Sequence, residues 1–288
     1  MFLLVSCSAN HESDPVIRPQ TDFFESVKSN DVPLGKPKEG EWLYEHKEPG
    51  QTFEEYKIAN PLRLNDTQHI IYLKPYGEFS KDEKMVLEYT ANYLEIFFQI
   101  KTRLLEISDD KLIPDTSRRI SSNGTEQLLA SYFIDHLLRK EMPKDGIVLM
   151  AITSKDLYPK KDWSFVFGLA SYQDRIGVCS INRLFMAAID SFNYGSCLMR
   201  LIKIASHEIG HMFTLHHCTN AYCTMNGSNS LLETDIQPNR LCSECLKKLF
   251  WNLQFDNKQR LKSLMGFFYL HKMKKDYNLT KIDFEATE

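Results

Sequence analysis

Apolar positions along residues 68–253 fall into runs of period 2 and period 3.6, and each run predicts an element. Gln68-His69-Ile70-Ile71-Tyr72-Leu73 reads as a strand. Ser80-Lys81-Asp82-Glu83 is a capping box, followed at helical spacing by Val86, Tyr89, Tyr93, Phe97 and Ile100, which predicts a long amphipathic helix. A second helix is expected over residues 126–140, with Leu129, Phe133 and Leu137 on one face. Ile147-Val148-Leu149-Met150-Ala151-Ile152 is an unbroken apolar run of strand length, the pattern of a central strand covered on both faces. Residues 164–171 alternate, with Phe165, Phe167 and Leu169 on one side, and Ile176-Gly177-Val178-Cys179-Ser180-Ile181 follows as another strand. Leu198, Leu201, Ile202 and Ala205 return to the helical period. Beyond Cys245, Leu246, Leu249, Phe250 and Leu253, then Leu261, Leu264, Met265 and Phe268, mark one or two helices ending near residue 275. Their lysines (Lys247, Lys248, Lys272, Lys274, Lys275) form a solvated basic face on packed helices rather than a membrane surface.

Residues 1–60 lack any such period. They are polar, with prolines at 15, 19, 33, 37 and 49, and read as a tether or extended arm ahead of one domain over residues 61–288. Leu4-Val5-Ser6-Cys7 resembles a bacterial lipoprotein cleavage box, which makes Cys7 a candidate lipid anchor and the arm its tether. Lipidation would place the chain at a cell envelope; without it the expectation is the cytoplasm. No stretch reaches the roughly 18 apolar residues that span a bilayer.

At 288 residues and 43% hydrophobic content the chain can bury a substantial core, and a monomer is expected. A net charge of −3 with no long basic run argues against nucleic acid as a partner.

Candidate chemistry is concentrated in residues 206–247: His207-Glu208-Ile209-Gly210-His211, His217-Cys218, Cys223, and Cys242-Ser243-Glu244-Cys245. Imidazole and thiolate both suit zinc, and the donors segregate into a histidine set and a cysteine set, so two zinc ions are expected. Helix residues four apart differ by about 40° in azimuth, which turns His207 and His211 towards one ion and leaves Glu208 beside it. His217, six residues past His211, is the candidate third ligand. Three imidazoles leave a fourth position for water, whose pKa the ion lowers to about 7; Glu208 is then the candidate base, and the acid that passes the proton to a leaving amine.

Cys218-x4-Cys223 and, eighteen residues on, Cys242-x2-Cys245 resemble a zinc-ribbon ligand set. Four thiolates close a tetrahedron, so this zinc is structural, and through the Cys218–His217 bond it helps fix the third catalytic ligand. Two disulfides of a secreted protein are the alternative for the same cysteines. Cys179 and Cys197 are expected to be buried apolar thiols, and His216 to face solvent.

The spacing His207-Glu208-x-x-His211-x5-His217 is that of the metzincins, and its continuation, Cys218-x4-Cys223-x-Met225 with Cys242-x2-Cys245, resembles the archaemetzincins among them. Residues 156–170 and Asn226-Gly227-Ser228-Asn229 are also similar, so the likeness covers about residues 145–250. The resemblance implies an α/β (α+β) fold: a metzincin-like single catalytic domain with a twisted mixed sheet, long helices and an active-site helix. The cleft would lie between a larger N-terminal and a smaller C-terminal part, the latter holding the four-cysteine zinc. Met225 matches the Met of the family's Met-turn, a packing floor under the catalytic zinc. The strand around Phe165, Val166, Phe167 and Gly168 would be the cleft's edge strand, to which an extended peptide adds. The implied activity is that of a zinc peptidase, often aminopeptidase-like, acting on peptides or proteins.

One residue departs from the pattern: Thr214 stands where the family has Gly. That Gly ends the helix in a left-handed turn, which costs a β-branched residue about 1–2 kcal/mol. Either Thr214 adopts the strained conformation, held because Cys218 is pinned, or the turn takes another shape. In the second case His217 is displaced and the chain is a non-catalytic zinc-binding or interaction protein.

Overall fold

Every residue of the apolar run 146–153 is buried, and the fold is laid out on both sides of it. The computed structural model describes residues 21–185, 189–190 and 192–286. In chain order these form α1 (Thr21–Lys28), α2 (Trp42–Glu45), α3 (Phe53–Ile58), β1 (Ile70–Tyr76), α4 (Lys81–Phe98), β2 (Thr102–Leu104), β3 (Arg118–Ile120) and β4 (Glu126–Leu129). There follow α5 (Ala130–Tyr132), a π-helical stretch over 133–138, α6 (Arg139–Glu141), β5 (Gly146–Thr153), β6 (Asp156–Tyr158), β7 (Gly168–Ser171) and β8 (Ile176–Ser180). The C-terminal part consists of α7 (Tyr194–Met212), α8 (Leu231–Ile236), α9 (Ser243–Leu253), α10 (Asn257–Leu270) and α11 (Lys274–Glu285).

The main sheet has the order β2-β1-β5-β8-β7 and is parallel except for β7, which pairs antiparallel with β8 and forms an edge. Alternate residues of β5 serve two cores: Val148, Met150 and Ile152 join the core built by α4, α7 and the C-terminal helices, whereas Leu149 and Ala151 face Leu128, Ala130 and Phe133. Burial on both faces is why this strand shows no alternation in sequence. The capping box of α4 forms as its sequence requires, Ser80 accepting from the Glu83 amide while the Glu83 side chain accepts from the Ser80 amide.

Several expectations need correction. The helix expected over residues 126–140 starts only at Ala130, because the backbone of β4 is engaged by β3 and β6 in a second, three-stranded sheet. Strand pairing there overrides a genuine helical spacing. Only Gly168–Ser171 of the expected strand 164–171 is regular; the preceding turn bridges the two sheets, the Val166 amide donating to Leu157 O and Phe167 O accepting from the Ser180 amide. A third C-terminal helix, α11, was not expected, since its buried residues are Asp276, Thr280 and Asp283 rather than an apolar stripe. Asp276 accepts from the Asn239 backbone and side chain (2.9 and 3.1 Å), and Asp283 pairs with Arg240 (2.6 Å).

The arm expected over residues 1–60 is, from residue 21 on, packed chain. Val27 and Tyr56 are fully buried, and Tyr56 donates its hydroxyl to Phe213 O at the end of α7 (3.0 Å). Asp31 accepts from Arg240 (2.8 Å) and from the amide and hydroxyl of Ser243, satisfying the N-terminus of α9. Isolated anchors in a polar segment have no period, which is why the sequence pattern hid them. Arg240 keeps its pair with Asp283 when Asp31 is removed, but the Ser243 amide and hydroxyl lose their acceptor, so Asp31→Ala is expected to destabilise the protein by about 2 kcal/mol, read from urea unfolding. Cys7 lies outside the described residues. None of the described helices is long and apolar enough to cross a membrane.

Candidate metal centres

The last turns of α7 are buried almost all round, so its histidines project into a wall of the protein rather than into bulk solvent. The helix ends in a Schellman turn: the Leu215 amide donates to Gly210 O (3.0 Å), the Thr214 amide donates to His211 O (2.8 Å), and Thr214 is left-handed at φ 70°. Leu215 is thereby turned back over the helix and His217 returns to its histidines. One ring nitrogen from each of His207, His211 and His217 lies within 4.8 Å of the others. The Nε2 atoms of His207 and His211 are 3.0 Å apart, close to the roughly 3.3 Å edge of a tetrahedron drawn around zinc with nitrogen donors.

Each imidazole is oriented from behind. His207 donates Nδ1–H to Thr224 O (2.8 Å), His211 to Leu215 O (2.6 Å), and His217 to the Glu48 carboxylate (2.9 Å). These bonds place the proton on Nδ1 and the lone pair on Nε2, the outer-shell arrangement of metal-binding histidines. Burial, and then the neighbouring His217, pushes His207 down to about 3, and burial also holds His211 well below the ordinary range, so both are neutral donors. Burial, the largest single effect, opposes ionisation of Glu48, but its hydrogen bonds with His217 and Trp42 and the nearby imidazoles together outweigh it and keep the carboxyl below the usual value. Met225 is fully buried beneath the site, and a Cβ at Gly210 would fall 2.5 Å from its sulfur. Gly210 therefore lets the helix rest on this floor.

The four cysteines form the second cluster, their sulfurs also within 4.8 Å of one another. Cys218 Sγ and Cys242 Sγ are 3.6 Å apart, far beyond the roughly 2.05 Å of a disulfide and near the roughly 3.8 Å edge of a zinc–thiolate tetrahedron. Cys223 Sγ accepts from the amides of Met225 (3.4 Å) and Cys242 (3.3 Å), contacts that favour a thiolate. Hydrogen bonds from its three partners depress Cys218, whereas burial and neighbouring sulfurs raise Cys223 and Cys245. Four buried sulfurs within reach of one point, one of them taking two backbone amides, fit a divalent ion. The clusters are joined through the Thr224–Met225 segment, since Met225 O accepts from the Cys218 amide (2.7 Å) while its neighbour Thr224 orients His207.

Between α7 and β7 runs a cleft of about 680 Å³ lined by Phe165, Val166, Phe167 and Gly168 on one side and by the three histidines and Glu208 on the other. A Cβ at Gly168 would sit 2.4 Å from Glu208 Oε1, so this glycine makes room for the carboxylate. Burial pushes Glu208 up to about 8; a dication beside it acts in the opposite direction.

The model for peptidase family M54 matches residues 130–250. Archaemetzincin from Pyrococcus abyssi is 34% identical over 193 residues, covering 64% of this chain and 96% of the relative. The chain belongs to the archaemetzincins. It is therefore a member of a family of zinc metallopeptidases. The likeness to archaemetzincin-2 of the rat is longer, 29% identity over 283 residues, covering 86% of this chain and 76% of the relative. The crystal structure of archaemetzincin from Methanopyrus kandleri superposes with a TM-score of 0.53 at 26% identity, covering 67% of this chain and 99% of that one.

Against that family pattern, Thr214 takes the first of its two expected outcomes and keeps the left-handed turn. The strain is held by contacts from the N-terminal segment, Tyr56 on Phe213 O and the Gln51 amide group on Thr214 O (3.0 Å). Thr214→Gly should therefore raise stability by about 1 kcal/mol, read as a shift in thermal midpoint with the zinc content unchanged.

Sequence reasoning missed three groups here. Glu48 and Trp42 come from the segment read as a tether; Trp42 meets His217 edge-on with centroids 5.1 Å apart and lies over Gly227, where a Cβ would fall 2.4 Å from its ring. Nothing local in the sequence marks them, because their partners are more than 160 residues away. Tyr172, which reaches His211 Nδ1 (3.1 Å), is likewise brought in by β7. Cys179 and Cys197 are buried thiols raised by desolvation, as expected.

Proposed function

We propose that His207, His211 and His217 hold a catalytic zinc, that Cys218, Cys223, Cys242 and Cys245 hold a second, structural zinc, and that the chain hydrolyses peptide bonds in the cleft between them and β7. The observation that carries this reading is the convergence of three Nε2 donors, each with its Nδ1 tied to an acceptor behind it, beside a buried carboxylate that ligates nothing. Zinc there supplies a Lewis acid for the scissile carbonyl and acidifies a water.

The chain's own groups account for the rest. Glu208 accepts the proton of the attacking water and returns it to the leaving amine, so that one carboxylate serves as base and then acid. Gly168 leaves space for that carboxylate to lie against the substrate strand. The free edge of β7, with the turn from Phe165 to Phe167 ahead of it, offers an extended peptide main-chain partners in antiparallel register. Glu48 and Trp42 keep the His217 ring from rotating, and Met225 supports the floor.

An aminopeptidase-like mode needs a group for the substrate's α-ammonium. Besides Glu208, the carboxylate lining the cleft is Asp162, which is exposed next to Trp163. Mass-spectrometric mapping of products from matched peptides with free and acetylated N-termini tests the mode. Cleavage confined to the first residue and abolished by acetylation supports aminopeptidase action, and internal cleavage of both sets replaces it with endopeptidase action. Absence of any zinc-dependent cleavage across a broad peptide library would remove the hydrolytic reading.

A further inference from the structure

One turn before His207, on the same face of α7, stands a buried lysine. Lys203 lines the cleft yet is only 2% exposed. Its ammonium has three donors, and among the described residues it gives one of them to a protein acceptor, Thr234 O at 2.7 Å in α8. No described carboxylate lies within ion-pair distance. The two acidic groups that act on it are committed elsewhere: Asp235 takes a bidentate bond from Arg200 (2.8 and 2.6 Å), and Asp276 accepts from Asn239. Buried ammonium groups are ordinarily paired, because desolvation without a counter-charge is costly. Burial accordingly pushes Lys203 down to about 8, which still leaves it mostly charged at neutral pH.

Around it this end of the cleft is polar rather than greasy. Thr224, Asn226, Ser228, Asn229, Thr234 and Gln237 line it, in contrast to the Phe165–Leu169 side. Several of these are occupied in holding the loop: Asn226 donates to Cys218 O and Ala221 O, and Gln237 to Gly227 O. A polar recess lined by a buried ammonium that no described carboxylate pairs, in the same cleft as the histidine cluster, has the chemistry of a carboxylate subsite.

We propose that Lys203 is a specificity-determining residue that receives a substrate carboxylate in the recess between α7 and α8. The carboxylate has two sources, an acidic side chain near the scissile bond or the C-terminus of a short peptide. Either would complete the ion pair that the fold leaves open. The inference rests on the peptidase reading for its choice of ligand, but its test does not need turnover.

Binding is read by calorimetry on the zinc-loaded chain carrying Glu208→Gln, with and without Lys203→Met. The probes are N-acetylated hexapeptide amides with a single Glu or Gln walked along the sequence, and the same all-Gln peptide with a free C-terminal acid. The expected result is about tenfold or tighter binding of one acidic form over its neutral counterpart, with the ratio falling to about one in Lys203→Met. Preference for an internal Glu identifies a side-chain carboxylate, and preference for the free acid identifies a peptide C-terminus. Equal binding of all acidic and neutral probes overturns the proposal, as does a preference that survives Lys203→Met. Should that variant fail to load zinc, the acid-to-amide ratio of the chain that retains Lys203 decides, and a ratio near one sinks it. A chain that binds acidic peptides selectively but, with Glu208 intact, cleaves none would contradict the peptidase reading and leave this subsite standing.

Discussion

Glu208→Gln is expected to lower kcat/KM for peptide hydrolysis by about 1,000-fold or more while the zinc content stays that of the unsubstituted chain. The amide matches the carboxylate in shape, so it fits the space that Gly168 leaves, but it cannot accept the water's proton. Glu208 lies beside the histidine cluster without sharing in it, hence zinc stoichiometry should not change. Stability should change little, because the amide keeps the shape of the buried carboxylate and the space that Gly168 leaves for it. Parallel measurement of kcat/KM, zinc content and thermal midpoint separates this outcome from a general loss of structure. Residual activity within tenfold of the unsubstituted chain would assign the proton transfer to another group, and Tyr172, within hydrogen-bond distance of His211, would be the next to examine.

Cys223→Ser should have the larger structural effect. Cys223 is fully buried, its sulfur takes two backbone amides, and it sits two residues before Met225. Losing one thiolate opens the tetrahedron, and loss of a structural metal belongs to the few changes that cost on the order of 4–5 kcal/mol or more. For a chain of this length that is a fall of roughly 10 °C or more in thermal midpoint. Because Met225 O holds the Cys218 amide and Thr224 O orients His207, the damage should spread to the first centre, with weaker binding of its zinc as well as loss of the second. Zinc analysis after dialysis, together with a melting curve, measures both. A variant with an unchanged midpoint would mean that the cysteine cluster contributes little to the fold.

The parts of this architecture that were legible in the sequence are those whose partners are local or whose burial is one-sided or complete. The capping box and stripe of α4, the unbroken run of β5 and the inward face of α7 each imprint a period on the chain. Both side-chain clusters were legible for a related reason: His207 and His211 meet through helix geometry alone, and the cysteines come in two close pairs. Elements whose stability comes from distant polar partners were not. The α11 helix buries Asp276 and Asp283 against Asn239 and Arg240, so its hydrophobic pattern is weak where its packing is strong. In the N-terminal segment, Trp42, Glu48 and Tyr56 are widely spaced anchors whose meaning comes only from His217, Phe213 and Asn252 across the fold. Thr214 illustrates the same limit at one residue. Local propensity opposes a left-handed threonine, and what decides the matter is the long-range grip on the turn's carbonyls.

The account rests on His217 sharing an ion with His207 and His211 while a corner of that ion stays free for solvent. Anomalous diffraction at the zinc edge from crystals of the purified chain tests this directly. The expected map has two peaks, one among the four cysteine sulfurs and one about 2.1 Å from the Nε2 atoms of all three histidines, with its remaining position filled by a solvent molecule. A histidine-site peak bonded to His207 and His211 alone, or one whose fourth corner is closed by a protein atom, would contradict it.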